Sequence, residues 1–498
     1  MATTRRTLLR AGIAGLAGAL LAACAAPAPT ATPVPAKPAA PAPATPAPTQ
    51  APAAAAPTAA TAPATPTAAP AAAAPAPTLA PAKPTVAPAA GTAAQLAPAK
   101  LVWWTNDGKL GDRVKPVEEE FTKKYPQIQV EDLVIAVPLP EKLAPAAAAG
   151  TLPDLYYART FTTADHSIRG WLADITDYVK RDAKDVNADD LEPVMTVKEQ
   201  WKGKWYSQPE NYSVIVVYYN KKLFDEAKVP YPKDDWTWND FLDTARKFNK
   251  NDAAGKQSQF GADISILFAN WVTFGYLKGN GGDVVSDDFK KCLLNSKENS
   301  DSVQFLSDMI HVHKVAPAPG QLPQGVNPFF GGLCAMNVGG SWAIPAMRDG
   351  IKDKFDWDVA ALPKGTTGKY GVNVEGGCYG ISSTKNKDQS WELLKFSTSN
   401  QGIDTMVSKI LFSLPGRISN REGWLKVATS GGAPKHAPVY FDMLNNVPPM
   451  VPSLPYWEEF IKVFGNRIGA VQSGEKKAAD VLPTMTEEVN KVIANSTF

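Results

Sequence analysis

The run Tyr-Ser-Val-Ile-Val-Val-Tyr-Tyr-Asn, residues 212–220, is the stretch that most restricts how this chain can fold. It lacks the alternation of a half-exposed strand and reads as a strand buried on both faces. Both faces of a sheet are covered when helices pack on them, so the surrounding chain must supply helices. Strand and helix patterns do alternate around it. "KLVWWTN" (100–106) reads as a strand, followed by a helix from about Asp112 with Val114, Val117, Phe121 and Tyr125 on one face and Pro126 ending it. "IQVEDLVIAV" is the next strand, then an alanine-rich helix up to Gly150, then the strand "LPDLYYA". Thr237 and Asp240 have the spacing of a capping box, with Trp238, Phe241, Leu242, Ala245 and Phe248 as one apolar face behind them. "LCAMNV" and "FDWDVAALP" are short strands, and a helix around Ser390 to Ser397 follows "GCYGIS". This order predicts an α/β architecture with largely parallel sheets and no internal repeat.

The N-terminal fifth belongs to a different class. Arg5 and Arg6 precede an apolar run from Ala11 to Ala23, the layout of a twin-arginine signal peptide over residues 1–23. The run is short for a membrane span. Leu21-Ala22-Ala23-Cys24 resembles a bacterial lipobox, which would make Cys24 the acylated first residue of the mature chain. From 24 to 98 the chain is almost entirely Ala, Pro and Thr, with no acidic residue and only Lys37 and Lys83 charged. Such a segment cannot bury enough apolar surface to offset its ordering entropy. Proline keeps it extended, a semi-rigid linker reaching on the order of 200 Å at most.

The net charge of +2 comes from this leader. Residues 1–99 hold five of the 51 basic groups and none of the 49 acidic ones, so the remainder carries 46 against 49, a net −3. That argues against a nucleic-acid surface. Beyond Cys24 only Cys292, Cys334 and Cys378 remain, enough for one internal disulfide at most.

Several chemistries find no support. His311 and His313 are two apart on an expected helix and face different ways, where metal binding wants a spacing near four. Tyr156-Tyr157 and Tyr218-Tyr219 are adjacent strand residues and point to opposite faces. "GGCYG" lacks the partners of a cysteine nucleophile, and neither a phosphate loop nor a nucleophile elbow is present. No metal or other cofactor is expected.

"VEEEFTKKYPQIQVE", "LPDLYYA", "GWLADITDYV", "GKWYSQPENYSVIVVYYNKKLFDEAKVPYP", "TWNDFLDTARKF", "GLCAMNVGGSW", "ALPKG", "GGCYGISSTKNKDQSWELLKFSTS" and "LPGR" succeed one another along the body of the chain. In that order they resemble the extracellular solute-binding proteins of bacterial ABC importers, in the carbohydrate-binding group related to maltose-binding protein. The resemblance implies a two-lobed periplasmic-binding-protein-like fold with a hinge and a ligand cleft between the lobes. It places chain crossings near Pro209 to Tyr212, near Pro363 and near Leu414 to Arg417. One lobe would hold 99–208 and 364–414, the other 209–363 and 415–498.

A sugar presents hydroxyls and flat C–H faces, so its site needs aromatic plates beside carboxylate, amide or guanidinium groups. By resemblance Trp342 is such a plate, with Gly340 letting a ligand approach and Ser341 donating to a hydroxyl or capping the helix that Pro345 starts. A core tryptophan is the competing reading. The resemblance offers Asp154, Glu210, Tyr212, Trp271, Glu375, Gly377, Tyr379 and Arg417 as further contacts, against turn, hinge, core or surface roles. Relatives often carry an aspartate where this chain has Ser213. Of Trp103 and Trp104, which point to opposite faces, Trp104 is favoured for the cleft, with Asp107 in the loop after it.

These readings describe a lipid-anchored extracytoplasmic receptor, monomeric and not an enzyme, that passes a carbohydrate to a membrane permease. The competing classes are a glycoside hydrolase working with cleft carboxylates such as Asp154 and Glu210, and a receptor for a polyamine, phosphorylated polyol or peptide.

Overall fold

The computed structural model describes residues 96–106, 112–135, 139–322, 325, 327–382 and 386–498. The expected signal peptide, Cys24, the linker and Asp107 lie outside the described residues. Among those described, no helix is long and apolar enough to cross a membrane.

The chain opens with β1 (Ala99–Asn106), α1 (Lys115–Lys124), β2 (Ile128–Ile135), α2 (Leu139–Ala148), β3 (Leu155–Arg159) and the short α3 (Thr163–Ile168). β4 (Gln208–Ser213) and β5 (Ile215–Asn220) follow, then α4 (Trp238–Arg246), β6 (Lys250–Asn251), β7 (Gln257–Asp263), α5 (Asn270–Gly279) and α6 (Lys297–His311). Next come β8 (Cys334–Gly340), α7 (Ile344–Ile351), β9 (Trp357–Ala361), β10 (Glu375–Ile381), α8 (Lys387–Ser397) and β11 (Leu414–Pro415). The long helices α9 (Trp457–Gln472) and α10 (Ala478–Asn495) lie toward the C-terminus.

Two sheets organise these elements. The first has the order β11-β4-β10-β3-β1-β2, the second β9-β5-β8-β7-β6. The run 212–220 is therefore two strands, parted at Val214, with one half in each sheet. It is buried throughout, as its composition demands. The expectation of largely parallel sheets is corrected. β1 is parallel to β2 and β3, and β7 to β8, while β10, β4 and β11 run antiparallel to their neighbours and β5 is antiparallel to both β8 and β9. β10, which enters from the second sheet, starts level with the carboxyl end of β3 and so runs the opposite way, whereas β4 runs with β3 and leaves for the second sheet at that same end.

Helical periodicity is realised where it was read. Val114, Val117, Phe121 and Tyr125 are buried against Leu101, Trp103, Tyr379 and Trp391 in one core. Thr237 and Asp240 form the reciprocal capping box, and Trp238, Phe241, Leu242, Ala245 and Phe248 enter the larger core beneath the second sheet.

Candidate functional site

The register locates one edge shared by both sheets. β3 ends at Arg159, level with Gly377 near the start of β10, and Glu375 lies opposite Ser213 at the end of β4. The carboxyl ends of strands in open α/β sheets are where ligands settle. From that edge the chain crosses through Val214 into β5, whose first residue Ile215 faces Gly340 at the end of β8. Val214 accepts a 3.0 Å hydrogen bond from the Ser341 amide. The Ser413 hydroxyl, just before β11, lies 2.7 Å from that of Ser213 and 3.2 Å from that of Ser341, and donates to the Tyr212 carbonyl at 2.5 Å. Three hydroxyls from three separate stretches thus tie the passage between the sheets together.

Trp342 follows this junction, in the helical turn before α7, with Pro345 in the first turn of that helix. Its ring and that of Trp271, at the start of α5, are both half-buried, 5.7 Å apart by centroid and tilted by 52°. The Trp271 carbonyl accepts from the Asn373 amide at 3.3 Å, so the chain returning toward β10 holds α5 in place. Gly340 has an ordinary φ of −90°, and a Cβ there would lie 1.8 Å from the Trp342 ring. The absence of a side chain here makes room for the tryptophan. Ser341 is fully buried in the hydroxyl cluster rather than exposed to a ligand.

The other candidates are held in structural pairings. Glu210 forms a buried two-point ion pair with Arg113, whose second contact is 2.9 Å, and accepts from the Asn211 amide at 2.7 Å. The Arg113 guanidinium sits over the Phe412 ring at 4.4 Å and the Tyr157 ring at 5.5 Å. Glu375 accepts from Lys198 at 2.5 Å, Thr160 at 2.7 Å and Asn373 at 2.9 Å. Both carboxylates lie at the right edge but have their oxygens occupied. Tyr212 is buried with its hydroxyl donating to Glu192 at 3.2 Å. Tyr379 is core, edge-on to Trp103 at 5.1 Å, and Gly377 leaves room for the Tyr157 ring as Gly340 does for Trp342.

Three candidates are not brought to this edge. Asp154 stands at the opposite end of β3, where its carboxylate accepts from the Val102 amide and from Asn386, each at 3.0 Å. Arg417 is buried, and its guanidinium donates to the Thr398 and Val186 carbonyls at 2.7 and 2.9 Å and to Asp190. Trp104 lies mid-strand, level with Tyr156, on the small cluster that includes Leu143 and Trp171.

Sequence reasoning passed over Phe161 and Trp457. Phe161 lies just beyond β3, and its ring stacks on Trp457 at 4.2 Å, joining the first sheet's edge to α9. The Glu458 amide donates to Asp165 at 2.9 Å, and Arg169 reaches both Asp165 and Glu459. "TFTTAD" has no periodicity to single out Phe161, and only its position after a strand's carboxyl end marks it. Among the described residues no cluster of His, Cys, Asp and Glu could hold a metal ion.

Comparison with known proteins follows the same architecture. The family profile described as "Bacterial extracellular solute-binding protein" matches residues 108–403. An arabinooligosaccharide-binding protein of Bacillus subtilis is 26% identical over 232 residues, 44% of this chain and 49% of that protein, so the chain spans about half the length of that relative. A maltotriose-binding protein of Pyrococcus abyssi is 24% identical over 328 residues, 65% of this chain and 67% of the other. An ABC substrate-binding protein of Listeria monocytogenes, solved in complex with cycloalternan, superposes with a TM-score of 0.70 at 25% identity, covering 80% of this chain and all of that one.

Proposed function

The chain belongs to the bacterial extracellular solute-binding proteins, and from that premise we propose that it captures a carbohydrate between its two sheets and hands it to an ABC permease. The family is one of binding proteins, not enzymes. A hydrolase reading would also need two free carboxylates facing one bond. Glu210 is held by Arg113, and Asp154 lies at the far end of its strand.

The observation that carries the reading is the pair Trp271 and Trp342, half-buried side by side where the chain passes between the sheets. Indole faces offer large contact area to the C–H faces of a sugar at little entropy cost. Phe161, half-buried just beyond β3, stands on buried Trp457 at the first sheet's edge. The sugar-binding relatives and the bound cycloalternan of the Listeria protein support the same class of ligand. We assign 99–213 with 375–415 to one lobe and 214–374 with 416–498 to the other, a shift of the expected bounds supported by the pairing of 208–213 in the first sheet and the packing of 364–374 on the larger core. The ligand binds the closed arrangement of the lobes better than the open one and so shifts the population toward it. Cys24 carries the lipid, residues 24–98 space the lobes from the membrane, and the permease reads the closed form.

A thermal-shift titration with mono- and oligosaccharides tests this, since a ligand that binds only the folded state raises the melting temperature. A carbohydrate that stabilises the native chain but neither Trp271→Ala nor Trp342→Ala is the expected result. Stabilisation by no carbohydrate, with an amine or peptide acting through the two tryptophans instead, overturns the reading.

A further inference from the structure

A cavity of about 670 Å³ opens in the second sheet's half of the molecule, between the start of α4, the end of α5, the first turns of α6 and the loop 364–368. That volume is in the range of small-molecule sites. It lies toward the far end of α5 from Trp271, its lining beginning at Tyr276 about 7.5 Å along the helix at 1.5 Å per residue, and shares no lining residue with the tryptophan pair.

Its charges are separated by sign. Glu298 and Asp301 line it from one face of α6, where they stand three residues apart. Lys364 lines it from the loop, next to the cap of α4, where Thr237 and Lys364 form an isolated bridge. The Lys364 ammonium rests 5.3 Å from the Tyr370 ring centre, and Asp301 pairs with Lys297 one turn back on its helix, which leaves Glu298 as the more available carboxylate of that wall. No ion pair joins Lys364 to Glu298 or Asp301 among the described residues. The amino terminus of α4 lies on the same side, with the Asp240 carboxylate accepting from the Thr237 amide and hydroxyl there. Thr237 caps the Asp240 amide, which leaves the Trp238 and Asn239 amides without intrahelical acceptors. The floor is apolar, with Trp238 and Tyr276 in edge-to-face contact at 4.9 Å. Trp238 is only 5% exposed, yet its indole N–H has no partner, an uncommon state for a buried donor.

A cation alone would be repelled by Lys364 and an anion alone by the two carboxylates. A ligand that carries both charges at its two ends meets both walls. We propose that this cavity is a second binding site, for a di- or tripeptide with free termini whose carboxylate lies at Lys364 and the amino terminus of α4 and whose ammonium lies at Glu298 and Asp301. The aromatic floor takes the side chain between them.

The test uses the whole chain and trialanine, by calorimetric titration. Trialanine binds, and its N-acetylated, C-amidated form does not. Glu298→Lys and Lys364→Glu, both at the surface and compatible with folding, each weaken trialanine at least about tenfold, the loss expected for a charged hydrogen-bond partner. Glu298→Lys leaves any carbohydrate titration unchanged, which separates this site from the tryptophan pair. Absence of trialanine binding overturns the proposal. So does binding that survives both charge reversals but is lost in Trp342→Ala, which would put the peptide between the sheets. Equal binding of the blocked peptide overturns the zwitterion requirement.

Discussion

The Trp342 ring lies so close over Gly340 that a Cβ on that glycine would stand 1.8 Å from it. The backbone there is ordinary, so the glycine is required by its neighbour and not by its own conformation. Gly340→Ala must therefore swing the indole away. Overpacking of this kind costs typically about 1–3 kcal/mol. The expected outcome is a lowered melting temperature together with a shifted tryptophan emission and weaker carbohydrate binding. Unchanged emission would mean that the ring is not held by Gly340.

Trp271 and Trp342 are half-buried, so truncating either removes contact area without opening a sealed core. Trp342→Ala and Trp271→Ala should each weaken carbohydrate binding by at least about tenfold, on the scale of an aromatic contact plus its buried area. Cooperative unfolding should persist in both. A chain that no longer unfolds cooperatively would assign the ring to the core.

Arg113 and Glu210 are both almost fully buried and pair through both terminal guanidinium nitrogens and both carboxylate oxygens. Removing one partner leaves a buried charge uncompensated, at a cost of about 3–5 kcal/mol. Glu210→Gln should show that loss in urea denaturation. Arg113→Met with Glu210→Gln should recover much of it, because the stranded charge is gone. A double variant as unstable as the single one would show that the pair is not what stabilises this junction.

Glu199 gives a pH dependence. It is fully buried, with Oε2 accepting from Ser207 and Oε1 without a partner. Burial raises its pKa to about 8 from 4.5, against lowering by Ser207 and Cys378. The folded state thus binds a proton that the unfolded state releases, so stability falls as pH rises from about 4.5 to about 8 and levels off above. The slope sums to on the order of a few kcal/mol. Glu199→Gln, which mimics the protonated acid, should match the native chain at pH 5 and exceed it at pH 8. Equal melting temperatures at pH 8 would contradict this.

The proposed anchor has its own test. Cys24→Ser should move the protein from the membrane fraction to the soluble extracytoplasmic fraction and abolish incorporation of labelled fatty acid. Retention on the membrane by the variant would remove the lipid anchor from the reading.

Local patterns were enough for the local structure. The face Val114, Val117, Phe121 and Tyr125 and the cap at Thr237 and Asp240 are written within one or two helical turns, and the structure carries both. The buried character of 212–220 was equally plain, because hydrophobicity reports burial whatever the topology. Its division at Val214 between two sheets was not, since no residue there breaks the apolar pattern. The ordered motifs also carried the family. The site was harder to read. Trp271 and Trp342 were singled out, but whether Glu210 is a free acceptor depends on Arg113, 97 residues earlier. Whether Asp154 reaches a ligand depends on which end of β3 it occupies. Whether Gly340 admits a ligand depends on where one indole turns. Each is a matter of which distant groups the fold brings within hydrogen-bond or contact distance. Periodicity by itself determined the helices and strands, and the ordered motifs carried the resemblance to the family, because those signals are written in short stretches. Only the tertiary structure decided which carboxylates are taken and which rings are left open, because that depends on long-range pairing.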